Sequence, residues 1–401
     1  MKLTSWGGLG VALLASLAGY ASAAPIAVTP DTLVFSVAGN IRFDDNRDAT
    51  EQGKEAMTTL SFTPGARLTL DDLVTQTFIS YTPALLWRDN PRPDQNESEL
   101  YHAVEASVQH APSYRLTLGA VNKFEMTDDP NVTQGGVTVR ENASYWFNQT
   151  KGWLAYGVSE RTQLSVDGSY LFKRYQDSQF ADVGDEDRLE LNSSLGYLLE
   201  PDYHVFAFVG YDQPTYKNSV RGDYKGYLAG VGVDRSFNEQ LKGAMSLGYE
   251  FVDYSSSEDN SAMPYVLVSV EFKPVSCLKV EGATEYSTQP SDRSLYASKE
   301  NLRFSLRGTC TLSESLSPYA QIVFDNGQYK VKHAVAGDPA ALGQALVDGD
   351  DTLVDYQMGL LYCPKGSRYS GRVTYELEDW TSDVRESFTR NTLSVMVAVN
   401  F

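Results

Sequence analysis

A strict alternation of apolar and polar residues runs through long segments of the chain and limits the folds open to it. The clearest segment is the last one, where every second residue is apolar: Leu393, Val395, Val397, Val399 and Phe401. Successive side chains of a strand point to opposite faces, so this pattern gives one apolar face and one wetter face. The alternation therefore predicts β-strands, each lying between an apolar medium and water.

The predicted strands are numerous and long. Most have 12 to 15 residues, whereas strands of soluble sheets have about 5–6. A tilted strand needs about 9–11 residues to cross the hydrocarbon of a bilayer. We predict eighteen strands, at 33–44, 55–69, 73–85, 98–110, 113–126, 143–157, 161–174, 186–199, 202–213, 223–236, 239–254, 262–274, 277–288, 298–311, 316–327, 352–363, 367–378 and 387–401.

The connections between these strands alternate between short and long. Short turns fall at residues such as Asp71-Asp72, Pro201 and Lys365-Gly366, and long loops fall at 127–142, 175–185 and 328–351. Transmembrane barrels have short periplasmic turns and longer extracellular loops, and lipid permits no open sheet edge. The pattern predicts an all-β fold, an antiparallel up-and-down transmembrane barrel of about 18 strands, with both termini in the periplasm.

Composition agrees with this prediction and excludes other classes. The 33 Lys and Arg against 52 Asp and Glu give a net charge of −19, whereas nucleic-acid binders need a basic surface. The mean hydropathy of −0.32 is too low for a helical membrane bundle, but it suits a barrel whose strands turn half their residues to water. A secreted soluble β-protein is the alternative, and the strand lengths and sorted loops favour the barrel.

The first residues predict export. Lys2 precedes an apolar run over 10–18, and Ala21-Ser22-Ala23 follows as a small-residue cleavage site. This is the pattern of a secretory signal peptide. We expect residues 1–23 to be removed and residues 24–401 to form one barrel domain in the bacterial outer membrane.

Two short motifs resemble a known family of outer-membrane β-barrel porins. Arg42-Phe43-Asp44-Asp45-Asn46 ends the first strand, and Phe62-Thr63-Pro64-Gly65-Ala66-Arg67 lies in the second. The chain is similar to the second such porin family of Gram-negative envelopes. The resemblance implies an outer-membrane barrel with porin-like transport, surrounded by outer-membrane lipid and lipopolysaccharide. It also implies that the terminal residues Phe401, Val399 and Val397 are recognised by the barrel assembly machinery.

The strand faces opposite the apolar ones carry many charges, which indicates a wet lumen. Burying them in a dry core would be very unfavourable, and barrels of 16–18 strands leave an aqueous channel. We expect passive diffusion of small hydrophilic solutes; the alternative is a filled barrel that acts as a non-conducting scaffold or surface-binding protein. The expected pore-lining residues are Arg303, Arg307, Lys279, Lys242, Glu281, Glu271, Glu250, Asp355, Arg372 and Glu376.

Two arrangements of these lumen charges stay open. The basic group Arg303, Arg307, Lys279, Lys273 and Lys242 could face Glu281 and Glu271 across the lumen and create a transverse field. The same residues could instead pair from strand to strand. Acidic loops such as Asp348–Asp351 would favour cations at the mouth; they could equally bridge divalent cations to lipopolysaccharide.

No signal for an enzyme stands out. The chain has four His and neither a G-x-S-x-G nor an H-E-x-x-H motif, so we expect no catalytic residue, metal or cofactor.

Asp338 and Pro339 predict the start of a short helix in the loop 328–351. Cys277 and Cys310 lie on adjacent strands with opposite parity, which disfavours a disulfide between them. Homo-oligomer formation is left open.

Overall fold

The fold is known from a computed structural model of the chain. It describes residues 32–72, 74–92, 95–127, 144–176, 178, 181, 184–217, 223–254, 260–290, 296–331 and 348–401. The predicted signal peptide, most of the loop 328–351 with its predicted helix, and His333 lie outside these residues.

Twenty strand segments make up the fold. They are β1 (Thr32–Asp44), β2 (Met57–Asp71), β3 (Thr75–Tyr81), β4 (Ala84–Arg88), β5 (Ser98–Tyr101), β6 (Ala103–Ser113), β7 (Leu116–Thr127), β8 (Tyr145–Gly157), β9 (Thr162–Tyr175), β10 (Glu186–Glu200), β11 (Tyr203–Tyr216), β12 (Tyr224–Ser236), β13 (Leu241–Tyr254), β14 (Ser261–Val275), β15 (Leu278–Pro290), β16 (Tyr296–Cys310), β17 (Leu316–Val331), β18 (Gly349–Tyr362), β19 (Tyr369–Ser382) and β20 (Phe388–Asn400).

The segments form one closed, antiparallel barrel of eighteen strands, as predicted. Each strand pairs with its neighbour along the chain, and β1 closes the barrel on β20, from Ser36 opposite Asn400 to Asp44 opposite Thr392. Closure leaves no sheet edge in contact with lipid, which a membrane-spanning sheet requires.

Two barrel strands are interrupted, which explains why twenty segments make eighteen strands. β3 and β4 both pair with β2 and are separated at residues 82–83, where Pro83 has no N–H to donate. On the neighbouring strand, β5 and β6 are separated at His102. The Thr82 N–H still donates to the Ala103 carbonyl at 2.9 Å, so the pairing continues across the interruption.

Tight turns join the strands at one end of the barrel. In the β2–β3 turn, Asp72 Oδ1 accepts hydrogen bonds from the Val74 and Thr75 N–H groups at 2.7 and 2.6 Å. In the β18–β19 turn, Gly366 has φ of 71°, a left-handed conformation that glycine adopts without strain. The short turns predicted at Asp71-Asp72, Pro201 and Lys365-Gly366 fall at the junctions between consecutive strands that the structure shows, and we assign this end to the periplasm.

An apolar belt covers the outside of the barrel. The predicted alternation of the last strand is confirmed, since Leu393, Val395 and Val397 are exposed on the outer face. Equivalent residues of the other strands include Phe35, Ile41, Leu195, Val231, Met245, Leu306 and Met358. Exposed apolar side chains on this scale require an apolar solvent. Among the described residues, no helix is long and apolar enough to cross a membrane.

Candidate functional site

The candidate site is the inner face of the barrel, and its residues are fixed by strand register. Directly opposed residues of antiparallel strands point to the same face, so one polar row can be followed from β13 to β19. Each of these seven strands contributes one residue to the row, in the order Lys242, Glu271, Glu281, Arg307, Gln321, Gln357 and Glu376. Five of the predicted pore-lining residues therefore lie in a single row on one wall.

Two further rows lie closer to the extracellular loops and contain other predicted residues. Glu285, Arg303 and Asp325 are directly opposed on β15, β16 and β17. The second row lies between the row of Arg303 and the row of Arg307. It includes Asp355 opposite Glu378, which in turn lies opposite Arg390. Arg303 and Asp355 thus face the lumen at different depths from Arg307.

The structure decides between the two arrangements left open for Lys279, Lys273, Glu271 and Glu281. Lys279 Nζ lies 3.2 Å from Glu271 and 2.6 Å from Glu281, and Lys273 Nζ lies 3.0 Å from Glu271. Glu271 and Lys273 lie on β14, and Lys279 and Glu281 lie on β15, the neighbouring strand. These four residues therefore pair along and between two adjacent strands, and they do not face each other across the lumen.

The remaining predicted residues are spread over the inner wall. The Arg307 guanidinium lies over the Tyr319 ring, 4.7 Å from its centre. Glu250 Oε2 accepts a hydrogen bond from the Thr288 N–H at 3.0 Å, near the extracellular end. Arg372 lies towards the periplasm, opposite Leu361 and Met396. These residues do not gather into one compact cluster.

The lumen is packed more closely in its extracellular half than in its periplasmic half. Lys242 is exposed near the periplasmic end, whereas Lys173, Glu186 and Arg390 are each 1% exposed near the extracellular end. Arg390 binds Glu378 with Nε at 2.6 Å from the carboxylate. Because these side chains face inwards, their burial means that neighbouring groups pack over the inner wall near the extracellular end.

Several residues near the extracellular end of the lumen are not among the predicted pore-lining residues. Arg188 Nε and Nη2 donate to the two carboxylate oxygens of Asp212 at 2.7 and 2.8 Å, and the Tyr224 hydroxyl donates to the same carboxylate at 2.9 Å. Lys299 Nζ lies 3.5 Å from Asp325. Period-two parity places Asp212 and Asp325 inside, but it gives no sign of which inward residues pair.

Groups that could perform chemistry are scattered. Among the described residues, no three His, Cys, Asp or Glu side chains gather to hold a metal ion. His102 lies on the outer face, where its Nδ1 is 2.9 Å from the Tyr81 hydroxyl, and His110 Nδ1 is 2.9 Å from Thr75 Oγ1. Cys277, Cys310 and Cys363 are free thiols.

An apolar cavity of about 530 Å³ near Phe62 and Trp87 opens on the outer, lipid-facing surface of the barrel, away from the lumen.

The closed barrel, its apolar belt and its polar inner wall define an outer-membrane β-barrel, located in the bacterial outer membrane. The expected resemblance to outer-membrane β-barrel porins is confirmed at the level of the fold. No protein-family model matches the chain, and no curated protein matches its sequence.

Solved structures with the same fold exist. The outer membrane protein OpdK from Pseudomonas aeruginosa aligns over 92% of this chain and 99% of its own, with a TM-score of 0.52 and 10% identity. OccAB4 from Acinetobacter baumannii aligns over 93% and 99%, with a TM-score of 0.50 and 10% identity. OccK9 (OpdG) from Pseudomonas aeruginosa aligns over 92% and 98%, with a TM-score of 0.50 and 12% identity. At these identities the likeness establishes the fold.

Proposed function

We propose that the protein is an outer-membrane porin through which small hydrophilic solutes and ions diffuse passively. One observation carries the proposal: the inner wall of a closed eighteen-strand barrel is lined by rows of polar and charged side chains, including Lys242, Arg307 and Glu376. Such rows belong in water, and a barrel of this strand number is wide enough to hold a water column. The solved barrels of the same fold are outer-membrane porins, which agrees with the proposal.

The solutes are expected to be small and polar. Paired charges on the wall, such as Lys279 with Glu271 and Glu281, offer hydrogen bonds to a solute without a strong net charge at that height. The extracellular half has both signs of charge, as in the Arg188–Asp212 and Arg390–Glu378 pairs. A structure of OpdK was solved with vanillate, an aromatic carboxylate, which makes carboxylates a class to include among the solutes tested.

Cation preference is the finer part of the proposal. The sequence has 19 more acidic than basic side chains, and acidic residues near the extracellular loops, such as Asp348 and Asp350, would raise the local cation concentration. Salt screens such attraction within about 10 Å. The preference is therefore expected at low ionic strength and should weaken as salt is added.

Swelling of liposomes tests solute passage. Liposomes that contain the purified barrel should swell in sugars and amino acids, at rates that fall steeply as solute size increases. Gln357→Trp adds bulk to the lumen and should slow swelling, whereas Met358→Trp adds the same side chain to the lipid face of the same strand and should not.

Liposome swelling also distinguishes the porin from the alternative function, a non-conducting scaffold. A non-conducting scaffold is favoured by the burial of the inner charges Lys173, Glu186 and Arg390. A correctly folded wild-type barrel that gives no swelling above empty liposomes would overturn the porin and support the scaffold.

A further inference from the structure

The outer face of β7 and β8 departs from the apolar belt. Asn122 on β7 and Asn148 and Thr150 on β8 lie on the same outward face as Leu118, Leu154 and Tyr156, because Asn122 is directly opposed to Thr150, and Phe124 to Asn148. By contrast, the middle outward positions of six other strands are apolar: Val231, Met245, Val268, Ile322, Met358 and Val395.

These polar residues lie within the depth of the membrane. On β8 the outward series begins at Trp146 and ends at Tyr156, and both rings are exposed, as aromatic residues at the two membrane interfaces should be. At a rise of about 3.3 Å per residue and a tilt of about 40°, the interval between them spans about 25 Å, the height of the apolar belt. Asn148, Thr150 and Gly152 fall between the two aromatic rings.

The amides bind each other and retain capacity for more hydrogen bonds. Asn122 Nδ2 donates to Asn148 Oδ1 at 3.2 Å and to Thr150 Oγ1 at 2.8 Å, and Asn148 Nδ2 donates to Asn122 Oδ1 at 3.3 Å. A primary amide has two N–H donors and two acceptor lone pairs. Among the described contacts, Asn148 uses one of its donors. Lipid chains offer nothing to the other, whereas a protein surface can.

Small residues lie directly beside the amides. Ala120, Gly152 and Gly168 are opposed across β7, β8 and β9 on the outward face. A Cβ placed on Gly152 would meet only the Gly119 carbonyl oxygen, at 3.8 Å, so the barrel itself has room for a larger side chain there. Small residues in membrane-embedded surfaces permit close approach of another protein.

We propose that this face, defined as Asn122, Asn148, Thr150, Ala120 and Gly152 and here termed the amide face, is the contact surface of a homodimer. A two-fold axis along the membrane normal keeps both copies at the same depth in the membrane. Each residue of the face therefore lies at the same depth as the same residue of the second copy. Amides are self-complementary, since they both donate and accept, so the same face on a second copy satisfies them. A head-to-tail ring would instead set the amides against a different face of the barrel, and the outward faces compared above are apolar at their centres.

Mass measurement of the barrel in lipid nanodiscs tests the proposal. The wild type should have twice the mass of one barrel. Asn122→Leu combined with Asn148→Leu removes the hydrogen bonds, and Gly152→Leu blocks the approach; each should give single barrels that remain folded by circular dichroism and by heat-dependent gel mobility. Thr284→Leu makes a similar change on the lipid face of β15 and should leave the dimer intact.

A cysteine placed at the contact gives a second measurement. Thr150→Cys should form an intermolecular disulfide when a copper–phenanthroline oxidant is added to the membranes, above the background set by the three native thiols, whereas Thr284→Cys should not. A wild type that is a single barrel in nanodiscs would overturn the proposal. A trimer would also overturn it, as would a dimer that survives both the double Leu substitution and Gly152→Leu.

Discussion

Arg188 on β10 binds both carboxylate oxygens of Asp212 on β11, with nitrogen–oxygen distances of 2.7 and 2.8 Å. The two residues are not directly opposed, since Arg188 faces Pro214 and Asp212 faces Glu190, so the guanidinium reaches diagonally across the strands. Two parallel hydrogen bonds of this kind fix both orientation and distance. The pair therefore fixes the position of these two side chains on the inner wall near the extracellular end of the lumen.

Breaking this pair should destabilise the barrel. In Asp212→Asn, the half-buried guanidinium of Arg188 keeps one carboxylate partner among the described ion pairs. That partner is Glu190, 3.1 Å away. We expect a loss of about 1.5–3 kcal/mol in the free energy of unfolding, the usual range for hydrogen bonds to charged groups. Urea unfolding from lipid vesicles measures it.

A double-mutant cycle separates the pair from its surroundings. Arg188→Gln together with Asp212→Asn should cost clearly less than the sum of the single losses, because the double variant leaves neither the Arg188 guanidinium without Asp212 nor the Asp212 carboxylate without Arg188. Losses that add within about 0.5 kcal/mol would show that the two side chains do not interact in the membrane.

The basic residues of the wall should influence which ions pass. Arg303→Glu combined with Arg307→Glu replaces two inward positive charges with negative ones on the same strand, so the reversal potential in a salt gradient should shift towards cation selectivity. Lys225→Glu makes a similar change on the outer face of β12 and should have a much smaller effect. An unchanged reversal potential in the double variant would exclude both arginines from the selectivity filter.

The periplasmic turn at Asp72 should lose stability in acid. Hydrogen bonds from the Val74 and Thr75 N–H groups hold the pKa of the Asp72 carboxyl below its usual range. If the pKa of a carboxyl is lower in the folded state than in the unfolded state, the ionised carboxylate stabilises the fold. This stabilisation is present above the unfolded pKa and is lost as pH falls through the folded pKa. The difference in unfolding free energy between wild type and Asp72→Ala should therefore be constant at neutral pH and shrink below about pH 4. A difference that stays constant into acid would contradict the assigned hydrogen bonds.

The terminal residues Phe401, Val399 and Val397 are predicted to be the assembly signal. The Phe401 N–H donates to the Phe35 carbonyl at 2.8 Å, while its side chain is exposed and free to be recognised. Deleting Phe401 should reduce the amount of barrel in the outer membrane of cells but leave refolding of the purified chain into vesicles nearly unchanged. Phe43→Ala, which removes another outward aromatic, serves as the control; equal loss of both in cells would argue against a terminal signal.

The sequence predicted the barrel, its eighteen strands and its turns because one physical demand, lipid outside and water inside, is repeated on every strand. It did not predict the interruption at His102, where the alternation continues unbroken from Leu100 to Val104. Parity placed Lys279, Glu271 and Glu281 inside, yet which charges pair depends on register and rotamers, and these are set by the closed barrel. The polar residue Asn148 lies in a segment where the alternation is weak, and only strand pairing shows that Asn122 and Asn148 both face outwards.

The central claim is that this barrel is an open passage, and the current through single molecules tests it most directly. Purified wild-type protein, shown to be folded by its heat-dependent gel mobility, is added to a planar lipid bilayer under an applied voltage. We predict discrete steps of current that scale with salt concentration and are reduced by Gln357→Trp but not by Met358→Trp. Folded protein that inserts and gives no steps above the lipid background would contradict the account.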